Sequence, residues 1–200
     1  MAICQPFPLC IGLYNVPVKY KSLASVLVIA SIYIVGMFSL PLLEPDEGRY
    51  NSIPHEMLQS RDYILPTLNG VPYLEKPPLQ YWLTAGVFVI TGPQPWAGRL
   101  WPTIFALLTA LALYLFMKRE VNERAAAISA LVFLSSLHTL AMTRVNILDI
   151  SFGFFVTVSL LSAFRFLKHG DRSFLYIVWI AAGLGFLTKG LAAIVLPSGE

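Results

Sequence analysis

Glu44-Pro45-Asp46-Glu47-Gly48-Arg49-Tyr50 follows directly on an apolar run that opens at Ser22 and closes at Leu43. Three acids and an arginine at the mouth of a membrane span are costly to hold there. Ionisable groups at such depth mark a functional site by default. What this cluster binds, and which side of the bilayer it faces, governs the reading of the rest of the chain.

Composition sets the solvent. Apolar residues make up 56% of the 200 and charged residues 12%, about half the usual share. A soluble domain that poor in charge has too little polar surface to cover itself, so an all-α polytopic membrane protein is expected. The net charge of +3 is scattered in short clusters, with no basic stripe, which excludes nucleic acid as a partner. Cys4 and Cys10, six apart near the amino terminus, form neither a disulfide framework nor a metal signature. Residues 1–21 read as a cytoplasmic leader, with Lys19 and Lys21 as interfacial anchors.

A span needs about 20 largely apolar residues. Segments 22–43, 100–117, 125–142, 150–167 and 173–188 meet this, and 191–200 begins a sixth. A stop so soon after a span has begun reads as an amino-terminal portion of a longer protein, 22–200 being a partial transmembrane domain. Leu79–Thr91 is apolar but short, and whether it crosses decides the orientation of everything after it. Loops 118–124 and 168–172 are the most basic, so the positive-inside rule places them in the cytoplasm. That requires 79–91 to lie in the interface, where Tyr81 and Trp82 suit it. Segment 44–99 and Thr143–Asp149 then share the extracytoplasmic face, bringing Asp46 and Asp149 to one side.

Within the outer segment, Asp46 is placed to cap a helix starting near Glu47, and Tyr50, Ile53 and Met57 form its apolar stripe. Pro54 is expected to kink or end that helix near Ile53. Asn69-Gly70 predicts a tight hairpin between 63–68 and 71–74. Pro77-Pro78 stiffen the backbone beneath Lys76, a sensible support for a lone cation that must meet an anion.

These residues resemble a known group. The stretch Glu44–Tyr50, then Ile53-Pro54 and Glu56-Met57-Leu58, Leu68-Asn69-Gly70, Glu75–Trp82, Arg99-Leu100-Trp101-Pro102, Thr143-Arg144 with Asp149, and Leu187–Gly190 are similar, in order and spacing, to motifs of GT-C superfamily glycosyltransferases. The likeness is to the ArnT-like and protein O-mannosyltransferase-like group, and runs from about Ser39 onward. It implies GT-C-type transmembrane helices and a long first extracytoplasmic loop carrying amphipathic interfacial helices. It also implies transfer of a sugar from a polyprenyl-phosphate carrier to lipid A, another glycan or a protein, in a bacterial inner membrane.

Such chemistry needs a cation on the leaving phosphate and, for a hydroxyl acceptor, a base. Lys76 and Arg49 are the cations; Asp46 is the candidate catalytic residue, with Asp149 in support. Glu47 is a substrate-binding candidate, or joins Asp46 in holding a divalent cation. Arg99 and Arg144, at span ends, read as anchors, Asp149 equally as a helix cap, and the role of Lys189 is open. His55, His138 and His169 lack the spacing of a metal site. Two rivals stand beside the enzyme: an inactive remnant, and a multispan lipid-binding or transport protein without turnover. A second polypeptide supplying the missing spans is an alternative partner, besides membrane lipids.

Overall fold

A computed structural model describes residues 21–42 and 45–192, so Cys4, Cys10, Lys19, Glu44 and the segment beyond 192 lie outside the described residues. The elements run α1 (Lys21–Phe38), α2 (Asp46–Ser60), a short hairpin of β1 (Thr67–Leu68) and β2 (Val71–Pro72), α3 (Leu79–Thr91), α4 (Pro95–Glu120), α5 (Glu123–Ser135), α6 (Leu137–Met142), α7 (Leu148–His169) and α8 (Arg172–Lys189). Two of these, α4 and α7, are long and apolar enough to cross a membrane. The shared core is aromatic and aliphatic: Phe105 of α4 packs against both Phe154 and Phe155 of α7, with Tyr33 of α1 and Leu134 of α5 in the same cluster.

The helices sort into two polar ends. Lys168 Nζ donates to Glu120 Oε2 at 2.6 Å, so loops 118–124 and 168–172 meet at one end. At the other end, Lys189 Nζ donates to Asp149 Oδ1, and the Asn146 amide donates to Glu47 Oε1 at 3.2 Å across 99 residues of sequence. α4 and α7 therefore run in the same direction, with α8 returning alongside α7.

Several elements depart from expectation, each for a local reason. Segment 125–142 is two helices. Ser136 adopts φ −64°, ψ 134°, donates its hydroxyl to Phe133 O and accepts from the Thr139 amide, ending α5 and capping α6 in one residue. Pro54 does not end α2, which continues to Ser60 and stops at Arg61 in the left-handed region, φ 59°. The Tyr50 carbonyl that Pro54 cannot satisfy accepts instead from Asn146 Nδ2 at 3.1 Å. Asp46 does not cap α2: the cap position is Pro45, and the Asp46 carboxylate pairs with Arg49. The hairpin forms as read, with Asn69 and Gly70 both at positive φ, and Glu56 of α2 accepts from Thr67 Oγ1 and from the Asn69 and Gly70 amides.

Near its start α4 passes α2 and the loop after α6 at Gly98. A β-carbon there would stand 2.1 Å from Asn51 Oδ1 and 2.7 Å from Asn146 Nδ2, with no room to yield. Gly98→Ala should therefore destabilise the fold by about 1–3 kcal/mol. Gly86→Ala, where nothing lies within 4 Å, should be neutral or slightly stabilising. Thermal unfolding of the two variants in the same detergent checks the difference.

Candidate active site

Arg99 is the largest fully buried side chain among the described residues. A guanidinium carries five N–H donors, and burying it is tolerable only if all are used. Here they are. Nε and Nη2 form a two-pronged pair with Glu47 Oε1 and Oε2 at 2.6 and 2.9 Å. The remaining donors reach the carbonyls of Met37, in the last turn of α1, and of Leu40 and Pro41 just beyond it, at 3.0, 2.6 and 2.7 Å. Arg99 is thus a clamp between α1 and α2 rather than an interfacial anchor.

Asn146 extends the clamp. Its side chain donates to Tyr50 O and Asn51 Oδ1 and accepts from Gln80 Nε2 at 2.9 Å, while Ser151 Oγ donates to Gln80 Oε1. One buried network therefore holds α2, α3, α4 and the start of α7 together. Asp149, in the first turn of α7, is fixed against the α2 segment that carries Asp46.

Around this rigid centre lies an exposed charged rim. The Asp46 side chain keeps 58% of its surface and pairs with Arg49. Arg49 Nη1 donates to the Tyr73 hydroxyl at 3.3 Å, which in turn donates to Glu75 Oε2 at 2.7 Å. Burial pushes the Tyr50 hydroxyl up to about 12, and the neighbouring Tyr73, Asp46 and Asp149 add to it, so Tyr50 senses both acids at once. Its ring stacks on Tyr81 at 5.9 Å. Lys76, half-buried beside this chain, has no partner among the described residues. Arg144 lies along Gly36 of α1, its Nε 3.2 Å from where a β-carbon would be.

The sequence candidates divide accordingly. Asp46, Arg49 and Asp149 lie on the rim, and Lys76 follows Glu75 directly. Glu47 is turned inward, fully buried, with its oxygens committed to Arg99 and Asn146. The Asp46–Glu47 pair consequently does not fit a shared divalent cation, and among the described residues no three His, Cys, Asp or Glu groups gather for one. Lys189 pairs with Asp149. His169 contacts Glu120 at 3.3 Å, and His138 is exposed. Sequence reasoning missed Tyr73 and Glu75 on the rim and Asn51, Gln80 and Asn146 in the centre. Glu75 beside Lys76 was the one available signal.

Known proteins resemble this chain over most of its length. A family model for dolichyl-phosphate-mannose-protein mannosyltransferases matches residues 75–199. Undecaprenyl phosphate-alpha-4-amino-4-deoxy-L-arabinose arabinosyl transferases of Pectobacterium atrosepticum and Proteus mirabilis are 32% and 35% identical over 185 residues. Those alignments take in 90% of this chain but 33% and 34% of the relatives, so the chain spans about a third of their length. The crystal structure of ArnT from Cupriavidus metallidurans bound to undecaprenyl phosphate superposes with a TM-score of 0.85 at 29% identity, over 90% of this chain and 34% of that one. The all-α polytopic membrane fold is thereby shared.

Arg99→Lys leaves acceptors that three donors on one nitrogen cannot serve, and should destabilise by about 3–5 kcal/mol, as should Glu47→Gln to a lesser degree. A double-mutant cycle by chemical unfolding measures the coupling. Burial alone would raise Glu56, but its bonds from Thr67, Asn69 and Gly70 outweigh this and hold it below its ordinary 4.5. The grip on the hairpin is thus present above that value and lost as pH falls through the depressed one. Glu56→Gln should mimic acid, and hydrogen exchange at the Asn69 and Gly70 amides reports both.

Proposed function

Because the chain belongs to the dolichyl-phosphate-mannose-protein mannosyltransferase family, we propose that it forms the amino-terminal part of a membrane glycosyltransferase. The enzyme moves a sugar from a polyprenyl-phosphate carrier to an extracytoplasmic acceptor at the inner membrane. The carrier is undecaprenyl phosphate and the sugar an aminopentose, by likeness to the arabinosyl transferases. The acceptor is lipid A, a glycan or a protein. The observation that carries this reading is the gathering of Asp46, Arg49 and Asp149, from segments about a hundred residues apart, at one exposed rim, with the unpartnered Lys76 next in sequence to Glu75 of that rim.

In the reaction the bond between the sugar's anomeric carbon and the carrier phosphate breaks, and a bond from that carbon to an acceptor oxygen forms. Lys76 meets the negative charge that develops on the departing phosphate, with Arg49 as a second cation once it leaves Asp46. Asp46 accepts the proton of a hydroxyl acceptor; a phosphate acceptor brings none, and Asp46 then orients it. Asp149, paired with Lys189, has a supporting role. Glu47 serves the site by fixing α2, and with it Asp46, through Arg99.

Supplied with the remaining spans of a relative as a second polypeptide in proteoliposomes, the chain should transfer a radiolabelled aminopentose from its undecaprenyl phosphate donor. Asp46→Asn should lower turnover by about 10²–10⁴ with a hydroxyl acceptor while leaving carrier binding intact. Lys76→Met should weaken carrier binding by about tenfold or more. Unchanged turnover in Asp46→Asn removes that residue from the chemistry.

A further inference from the structure

At the end of the bundle away from Asp46, a groove of about 170 Å³ opens between the last turns of α4 and α7. Leu115 and Phe116 form one wall and Val158 and Leu161 the other, with Arg119 and Arg165 at the mouth. The two helices offer the same pattern. On α4, Ala112, Leu115 and Arg119 recur at helical spacing; on α7, Val158, Leu161 and Arg165 do so. Since the helices run in the same direction, the apolar stripes lie side by side and the two arginines stand at one level.

Of the two cations at the mouth, one is unpaired among the described residues and the other shares its acid with two more cations. Arg119 is exposed and has no partner among the described residues. Arg165 packs its guanidinium 4.4 Å over the Phe174 ring, and its buried Nε makes no hydrogen bond. Glu120 lies 3.4 Å from that Nε, but its carboxylate also holds Lys168 at 2.6 Å and His169 at 3.3 Å. Six lysines and arginines face three acids across Lys118–Arg124 and Lys168–Arg172 with Arg165.

We propose that this groove binds an anionic glycerophospholipid, one acyl chain lying along Leu115, Phe116, Val158 and Leu161 and the phosphodiester between Arg119 and Arg165. An apolar trough ending in paired cations at a helix terminus matches such a lipid in both shape and charge, and basic pockets between transmembrane helices hold lipid headgroups elsewhere. Zwitterionic lipids bring a cation of their own to the same mouth and are disfavoured. This site is separate from the proposed catalytic rim and does not depend on it.

The chain is purified in detergent and examined by native mass spectrometry with phosphatidylglycerol or phosphatidylethanolamine of identical acyl chains. Phosphatidylglycerol should be retained with about tenfold preference. Combined replacement Arg119→Gln and Arg165→Gln should abolish that preference, whereas Lys118→Gln should keep it. Leu115→Trp, which fills the trough at a half-exposed position and leaves every charge in place, should remove the bound lipid. Equal retention of the two lipids, or phosphatidylglycerol bound undiminished by the arginine or tryptophan variants, overturns the site. So does loss of all lipid when the remaining spans of a relative are added, which would make the groove a helix-packing seam.

Discussion

Arg99 depends on finding five acceptors away from water, and the arrangement of the end that carries Asp46 and Asp149 follows from that requirement. Two acceptors are the oxygens of Glu47 and three are carbonyls at the end of α1. A buried ion pair is poor evidence for stability as such, because desolvation cancels much of the attraction. Its geometry is nonetheless exacting. A guanidinium that must reach α1 and α2 together leaves those helices one relative placement.

This explains why a fixed centre sits beneath a charged rim. Asp46 and Glu47 are adjacent in sequence but lie on different faces of α2: one is fully buried and shared with Arg99, the other is exposed and paired with Arg49. The inner acid fixes where the outer one points. Asn146 does the same for Asp149, reaching the carbonyl that Pro54 leaves free on α2. A proline inside a helix, costly in isolation, here provides the acceptor that ties the two acidic segments together. For the proposed transfer such stiffness is useful, since charges that meet a departing phosphate act best when already in place.

Much of this was open to a reader of the residues. Apolar runs announced the helices, basic loops gathered at one end, and Asn69-Gly70 specified its turn because only residues tolerating positive φ fit there. Asp46, Arg49, Lys76 and Asp149 stood out as charges in an apolar chain. Less visible were the polar residues whose partners are distant in sequence. Arg99 resembles any arginine at a span end, and Gln80, Asn146 and Ser151 carry no periodicity. The break at Ser136 escaped notice since serine is unremarkable within an apolar helix until its hydroxyl serves both ends.

By itself the sequence determined which segments are helical, which of their ends are charged, and which residue types are available for chemistry, because these follow from local composition and spacing. Tertiary structure alone decided which charges are spent and which remain exposed. Glu47 and Asp46 differ in that respect only through what lies against them, and an ion pair spanning 52 residues is fixed by packing, not by spacing along the chain.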